Sequence, residues 1–215
     1  WNVTNFTANS GTVAFTGTGT IYSGTTFNNL TKSGGGTTTT GNVGIRVSGT
    51  LTLTAGTLAM VGNQLEADGD ITRTGGALSF GAGGDLYLHG SAQQNVNLTG
   101  STIQNVTVEN SFGTAPQVQM TNTAAFTWNG NLILTQGTLR LANFTQTIGG
   151  NVSGAGTLDA SVVTGANTLT VNGYVGTNGT TLATLSAPTS TTLNVGTNWN
   201  VTNFTANSGT VAFTG

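Results

Sequence analysis

Cysteine is absent from this chain, proline occurs only twice and charged residues make up 5% of it. Without cysteine there is no disulfide and no thiolate metal site, so stability has to come from backbone pairing and packing. With only Lys32, Arg46, Arg73 and Arg140 as strong cations and a net charge of −2, the chain has too little positive charge to hold a phosphate backbone, so nucleic acid is not an expected partner. No apolar run approaches the length needed to span a bilayer, and no stretch carries apolar residues at helical spacing. Hydrophobic residues account for 36% of the sequence, below the globular norm of roughly 45–50%. Disorder would normally bring high net charge and few β-branched residues, and here the apolar residues are spaced regularly.

What fills the sequence instead is glycine, at 34 positions, together with threonine and asparagine. Turn signals recur at Asn9–Gly11, Gly34–Gly36, Asp68-Gly69, Asn129-Gly130, Asn172-Gly173 and Asn178-Gly179. The runs between them alternate. In Thr50–Thr54 (TLTLT) the leucines take one side and the threonines the other, the period-2 mark of a half-buried strand. The chain reads as all-β.

Repetition occurs at two levels. Residues 199–215 (WNVTNFTANSGTVAFTG) copy residues 1–17 letter for letter, an offset of 198. Residues 1–198 therefore read as one complete tandem period and 199–215 as the start of the next. Within the period, Gly49–Met60 (GTLTLTAGTLAM) aligns with Gly130–Leu141 (GNLILTQGTLRL), an offset of 81. This maps the inward candidates Leu51, Leu53, Leu58 and Met60 onto Leu132, Leu134, Leu139 and Leu141. Thr26–Thr31 aligns with Thr102–Thr107 at an offset of 76, and Gly11–Gly17 with Gly84–Gly90 at 73.

Two architectures fit, a chain of discrete β-sandwiches of ~100 residues each and a parallel, right-handed β-helix or solenoid with roughly 20-residue coils. The solenoid is favoured because Leu193–Trp199 runs between periods without a linker, and because each coil borrows its neighbour's backbone as a hydrogen-bond partner. About ten coils per period at ~4.8 Å would advance roughly 48 Å. Uncapped ends predict end-to-end association with further copies of the chain, and lateral association of chains is left open by the sequence.

The phrases Gly11–Gly17, Thr25–Thr31, Gly49–Leu58 and Thr197–Phe204 resemble the repeats of giant bacterial surface adhesins of the Bacteroidota type. They are also similar to filamentous-haemagglutinin and autotransporter stalks. The resemblance implies an extracellular or cell-surface stalk, filament or adhesin that gives stiffness and reach, built from further copies in cis, with a surface target that it does not specify. The alternative is a repeat whose Thr/Asn face itself binds surface glycans or another cell. No catalytic residues come with the resemblance.

Few residues suggest chemistry. Glu66, Asp68 and Asp70 alternate, and in an unbroken strand their carboxylates would share one side as a weak calcium site; a solvated face ending in an Asp-Gly turn is the simpler reading. No other metal and no cofactor is expected. Gly81–Tyr87 is similar to a calcium-binding nonapeptide but occurs once, whereas that motif works on consecutive coils. His89 reads as a surface histidine. Six acids and four bases scattered over the chain do not build an acid–base pair, so no enzymatic activity is expected. Thr16, Thr18 and Thr20, and Thr50, Thr52 and Thr54, have the spacing of ice-binding rows but look scattered in the sequence. Asn-x-Thr/Ser triplets at Asn2, Asn5, Asn29, Asn97, Asn105, Asn143, Asn151, Asn178, Asn200 and Asn203 read as turn or ladder asparagines rather than glycan acceptors. Trp1 and Trp199 read as core or rim packing.

Overall fold

The computed structural model describes residues 1–177 and 179–215, so Asn178 and its triplet lie outside the described residues. Its strands are short and, in every sheet ladder, parallel. The chain winds as a three-faced solenoid of about ten coils, each strand pairing with the one a coil further on. Thr72, for example, donates its hydroxyl to Thr52, 20 residues earlier. The first face stacks Thr12–Phe15, Asn29–Lys32, Leu51–Leu53 and Ile71–Arg73, and ends with Leu182–Ser186 and Val201–Thr205. The second runs from Gly19–Ile21 through Thr37–Thr40 and Thr57–Met60 to Thr192–Val195 and Thr210–Phe213. The third starts at Thr26–Phe27, continues through Ile45–Val47, Gln64–Ala67 and Asp85–Leu88, and narrows after Ser153 to single bridges from Val152 to Val175 and from Val175 to Trp199.

Alternation creates the core. On the third face Phe27, Val47, Ala67, Leu88, Val108 and Leu134 stack as one inward column, all buried, while their neighbours along each strand face out. All eight inward candidates of the 81-residue alignment are buried, and inward columns from the three faces merge into one cluster along the stack. Burying a large aliphatic side chain stabilises by roughly 1.5–3 kcal/mol. A coil with few such residues is therefore stable only with neighbours above and below it. Lys32 also points inward and is 1% exposed, its ammonium donating to the Gly34 carbonyl at 2.5 Å.

Corners between faces are where glycine matters. Gly56 and Gly137, equivalent in the 81-residue alignment, turn the chain with φ of +67° and +89°. A Cβ at Gly56 would fall on the carbonyls of Gly34 and Gly36, and one at Gly137 on that of Asn110 at 2.7 Å. Both the backbone conformation and the close stacking of coils exclude a side chain there. Asparagines tie other corners together. The Asn105 side-chain oxygen accepts from Asn131 N–H, Asn131 from Asn151 N–H and Asn151 from Tyr174 N–H, at 2.9–3.0 Å. Asn29, aligned with Asn105, does the same for Thr50 N–H at 2.8 Å.

The internal repeats do not return to the same face. Gly49–Met60 spans the first and second faces, whereas Gly130–Leu141 spans the third and first. Thr26–Thr31 runs from third to first and Thr102–Thr107 from second to third; Thr12–Phe15 is on the first and Asp85–Leu88 on the third. All three alignments advance by three coils and two further faces. The alignments thus match strand with strand at one common step of eleven strand-and-corner units, which is not a whole number of coils.

Candidate functional site

Charge is distributed unevenly around the solenoid. Arg46, Glu66, Asp85 and Glu109 lie on third-face strands, with Asp68 and His89 just past strand ends. The outward column Thr26–Arg46–Glu66–Tyr87–Thr107 brings several of them together on consecutive coils. Arg46 donates through Nε and Nη2 to Asp68 Oδ2 at 2.9 and 2.7 Å, and its Nε is 3.6 Å from Glu66 Oε1. The Asp68 hydrogen bond, and the negative charge of Asp68 and Glu66, raise the Arg46 pKa further above its ordinary value. His89 Nδ1 lies 3.4 Å from Glu66 Oε1 and 3.6 Å from Asp68 Oδ1, and the ring stacks on Tyr87 at 5.6 Å. Asp68 Oδ1 and His89 Nδ1 are shut off from solvent and have no hydrogen-bond partner.

Glu66, Asp68 and His89 therefore offer three ligand atoms within 4.8 Å of one another. This is not the trio read from the sequence. The strand ends at Ala67 and the chain bends at Asp68-Gly69, so Asp70 lies round the corner, where its Oδ1 accepts from Asn95 N–H at 2.8 Å. His89 takes its place from the next coil. A set with an imidazole nitrogen suits a borderline transition-metal ion better than calcium, which prefers oxygen. Arg46 pairs with Asp68 through Oδ2 alone, so the group is an ion-pair network in which Asp68 Oδ1 and His89 Nδ1 are left without a hydrogen-bond partner.

Neighbouring carboxylates have separate duties. The Tyr87 hydroxyl donates to Glu109, and that hydrogen bond, with burial and nearby negative charge, pushes the phenol pKa up to about 12. Burial raises Asp85, although the Thr107 hydroxyl, 3.3 Å from both carboxylate oxygens, opposes the shift. Asp85 thus serves a cross-coil contact, and Gly81–Gly84 before it form a corner between the second and third faces. Beside the column, an open cleft of about 850 Å³ lies against residues 3–8, lined by Phe6, Thr25, Arg46, Gln64 and Glu66 among others.

The second face is the opposite surface. Its strands carry no ionisable side chain among the described residues. One outward column reads Thr20, Thr39, Ala59, Ser79, Thr102 and Thr127 on six successive coils, and continues as Thr147, Thr170, Asn194 and Ala212. Two residues away, Thr37, Thr57 and Ala77 stack, as do Thr192 and Thr210. Of the threonines singled out in the sequence, Thr20 belongs to this column, Thr52 stacks with Thr31 and Thr72 on the first face, and Thr16, Thr18, Thr50 and Thr54 lie outside the strands. Corners of different length hide the column: Thr20 and Thr39 are 19 residues apart and Thr102 and Thr127 are 25.

Several of the remaining sequence candidates make packing or cross-coil contacts. Trp1 packs edge-on to Phe6 at 5.2 Å and to Phe15 at 6.0 Å, and Trp199 to Phe204 at 5.1 Å and to Phe213 at 6.4 Å. Asn143 reaches across a coil to Thr164, and Asn97 closes a local turn on Thr99 N–H. No helix of the described residues is long and apolar enough to cross a membrane. No family model, curated protein or solved structure matches the chain.

Proposed function

We propose that the chain is a non-catalytic structural repeat of a long extracellular stalk, filament or adhesin, whose task is to hold something else at a distance from a cell surface. The observation that carries this reading is the unbroken stack at the copy boundary. Val201–Thr205 pairs with Leu182–Ser186, Thr210–Phe213 pairs with Thr192–Val195, and Trp199 bridges Val175, so the second copy is laid directly on the coils before it. Each backbone hydrogen bond contributes a net ~0.5–1.5 kcal/mol, and opening one coil disturbs two interfaces. Stiffness then follows from the winding. The charge-poor Thr/Asn surface and the resemblance to surface-adhesin repeats support the extracellular setting. The pairing of Arg46 with Asp68 and of Tyr87 with Glu109, which commits these groups to one another, supports a non-catalytic role.

Chains carrying one, two and three copies test the spacer reading in electron micrographs. Nine and a third coils at ~4.8 Å give about 45 Å of straight rod per added copy. Copies joined by visible hinges would overturn the reading.

A further inference from the structure

Residues 1–17 and 199–215 share one sequence but occupy different faces. Trp1 donates its amino group to Thr20 O and accepts from Tyr22 N–H, both at 2.8 Å, which brackets Ile21 at the end of the second face. Trp199 bridges Val175 on the third. Thr12–Phe15 belongs to the first face, against Asn29–Lys32, whereas Thr210–Phe213 belongs to the second, against Thr192–Val195. Each anchor of the second copy sits one face further round. Val201–Thr205, on the first face, is nine coils beyond Thr12–Phe15, and Thr210–Phe213 is a third of a coil beyond that. A period of 198 residues is thus 28 strand-and-corner units of about 7 residues, and 28 is not a multiple of three.

We infer that successive copies present the same side chains on successive faces of the rod, turned by a third of a turn each and returning to the starting face after three copies. This rests on the spacer reading and adds to it how the array displays its surface. In one copy the second face carries no charge, while the third carries the Arg46–Glu66–Asp68–His89 group. In the next copy the uncharged threonine columns move to the third face, and first-face strands, bearing the equivalents of Arg73 and Arg140, continue the second. No side of the rod stays uncharged for longer than one copy. The third-turn step therefore shows each surface in three directions along the rod.

The test uses three tandem copies of residues 1–198 followed by 199–215, with Val61→Cys in each copy. Val61 is 54% exposed at a corner and the chain has no cysteine of its own, so maleimide-gold marks one point per copy. Cryo-electron microscopy should show labels about 45 Å apart along the axis, each at the corner one face on from the last. A straight rod with every label on one side overturns the inference and leaves the spacer reading standing; a hinged string of beads overturns the spacer reading. In the 215-residue chain itself, a short bismaleimide should join Asn194→Cys to Ala212→Cys, neighbours on the second face. Joining of Thr184→Cys to Ala212→Cys instead would place the second copy on the first face and also overturn the inference.

Discussion

In the first copy of the 17-residue segment, Trp1, Phe6 and Phe15 close over Phe27, which is fully buried and lies 5.7–6.2 Å from each of their rings. In the second, Trp199 makes the same edge-on contacts with Phe204 and Phe213, yet those rings are 42% and 60% exposed. Residues 201–205 pair as a strand, while the matching residues 3–7 do not. Seventeen identical residues thus keep their aromatic contacts and the turn at Asn9/Asn207, and change their face, pairing and burial. Sequence therefore sets the strand at Thr12–Phe15 and Thr210–Phe213 and the aromatic trio, whereas the adjoining coil decides which face they join and whether residues 201–205 pair as a strand where 3–7 do not.

The aromatic rings give the largest contrast. Phe27→Ala should cost ~3–5 kcal/mol, and Phe213→Ala, removing a largely exposed ring, under ~1 kcal/mol. Urea unfolding followed by tryptophan fluorescence measures both, and equal losses would show that the ring covered by the first copy is packed no better than the open ring of the second.

Glycine sharpens it next. Gly11 and Gly209 are the same repeat position. A Cβ at Gly11 meets only Ala8 O, at an ordinary 3.6 Å, whereas one at Gly209 would fall on the carbonyls of Pro188 and, at 2.8 Å, Thr191. Gly209→Ala should cost ~1–3 kcal/mol and Gly11→Ala no more than about 0.5 kcal/mol, read from melting midpoints.

The smallest effects come from charge. Neither copy contains an ionisable side chain, so the side-chain charge effects come from the body between them. Burial alone would raise Asp159, but hydrogen bonds from Ser161 and from Arg140 Nε at 2.8 Å outweigh it and lower its pKa. A lowered carboxylate contributes stability above its unfolded pKa, near 3.9, and loses it as pH falls through the folded value. Asp159→Asn should therefore destabilise at neutral pH, by on the order of 1 kcal/mol, and lose that effect in acid. Asp85, raised by burial, has the opposite sign: its contribution is complete below the unfolded pKa and is lost as pH rises through the folded one. Asp85→Asn should stabilise slightly at neutral pH, and thermal melts at pH 3 and pH 7 separate the two variants.

Much of the fold was legible in the sequence. The alternation in Thr50–Thr54 placed Leu51 and Leu53 inside, and the 81-residue alignment found eight buried positions; the corner glycines Gly56 and Gly137 stand in that alignment but not among the turn signals. Asp70 left the acidic group because Asp68-Gly69 is a corner, as the Asp-Gly turn signal in the sequence indicates against the unbroken-strand reading. What stayed hidden depends on register between coils. His89 joined the acidic group because it stands one coil beyond Asp68. The 21-residue spacing from Glu66-x-Asp68 to Tyr87-x-His89 was the available signal, readable only once the local coil length is known. The threonine columns were obscured in the same way by corners of unequal length.

Methyl and aromatic NOEs in the 215-residue chain test the central claim most directly, that an identical segment extends one continuous parallel stack on the next face. The account predicts contacts of Val211 with Leu193 and of Phe204 with Leu185, the inward neighbours in register. Contacts of Val211 with Leu185, or an antiparallel pattern among these strands, would contradict it.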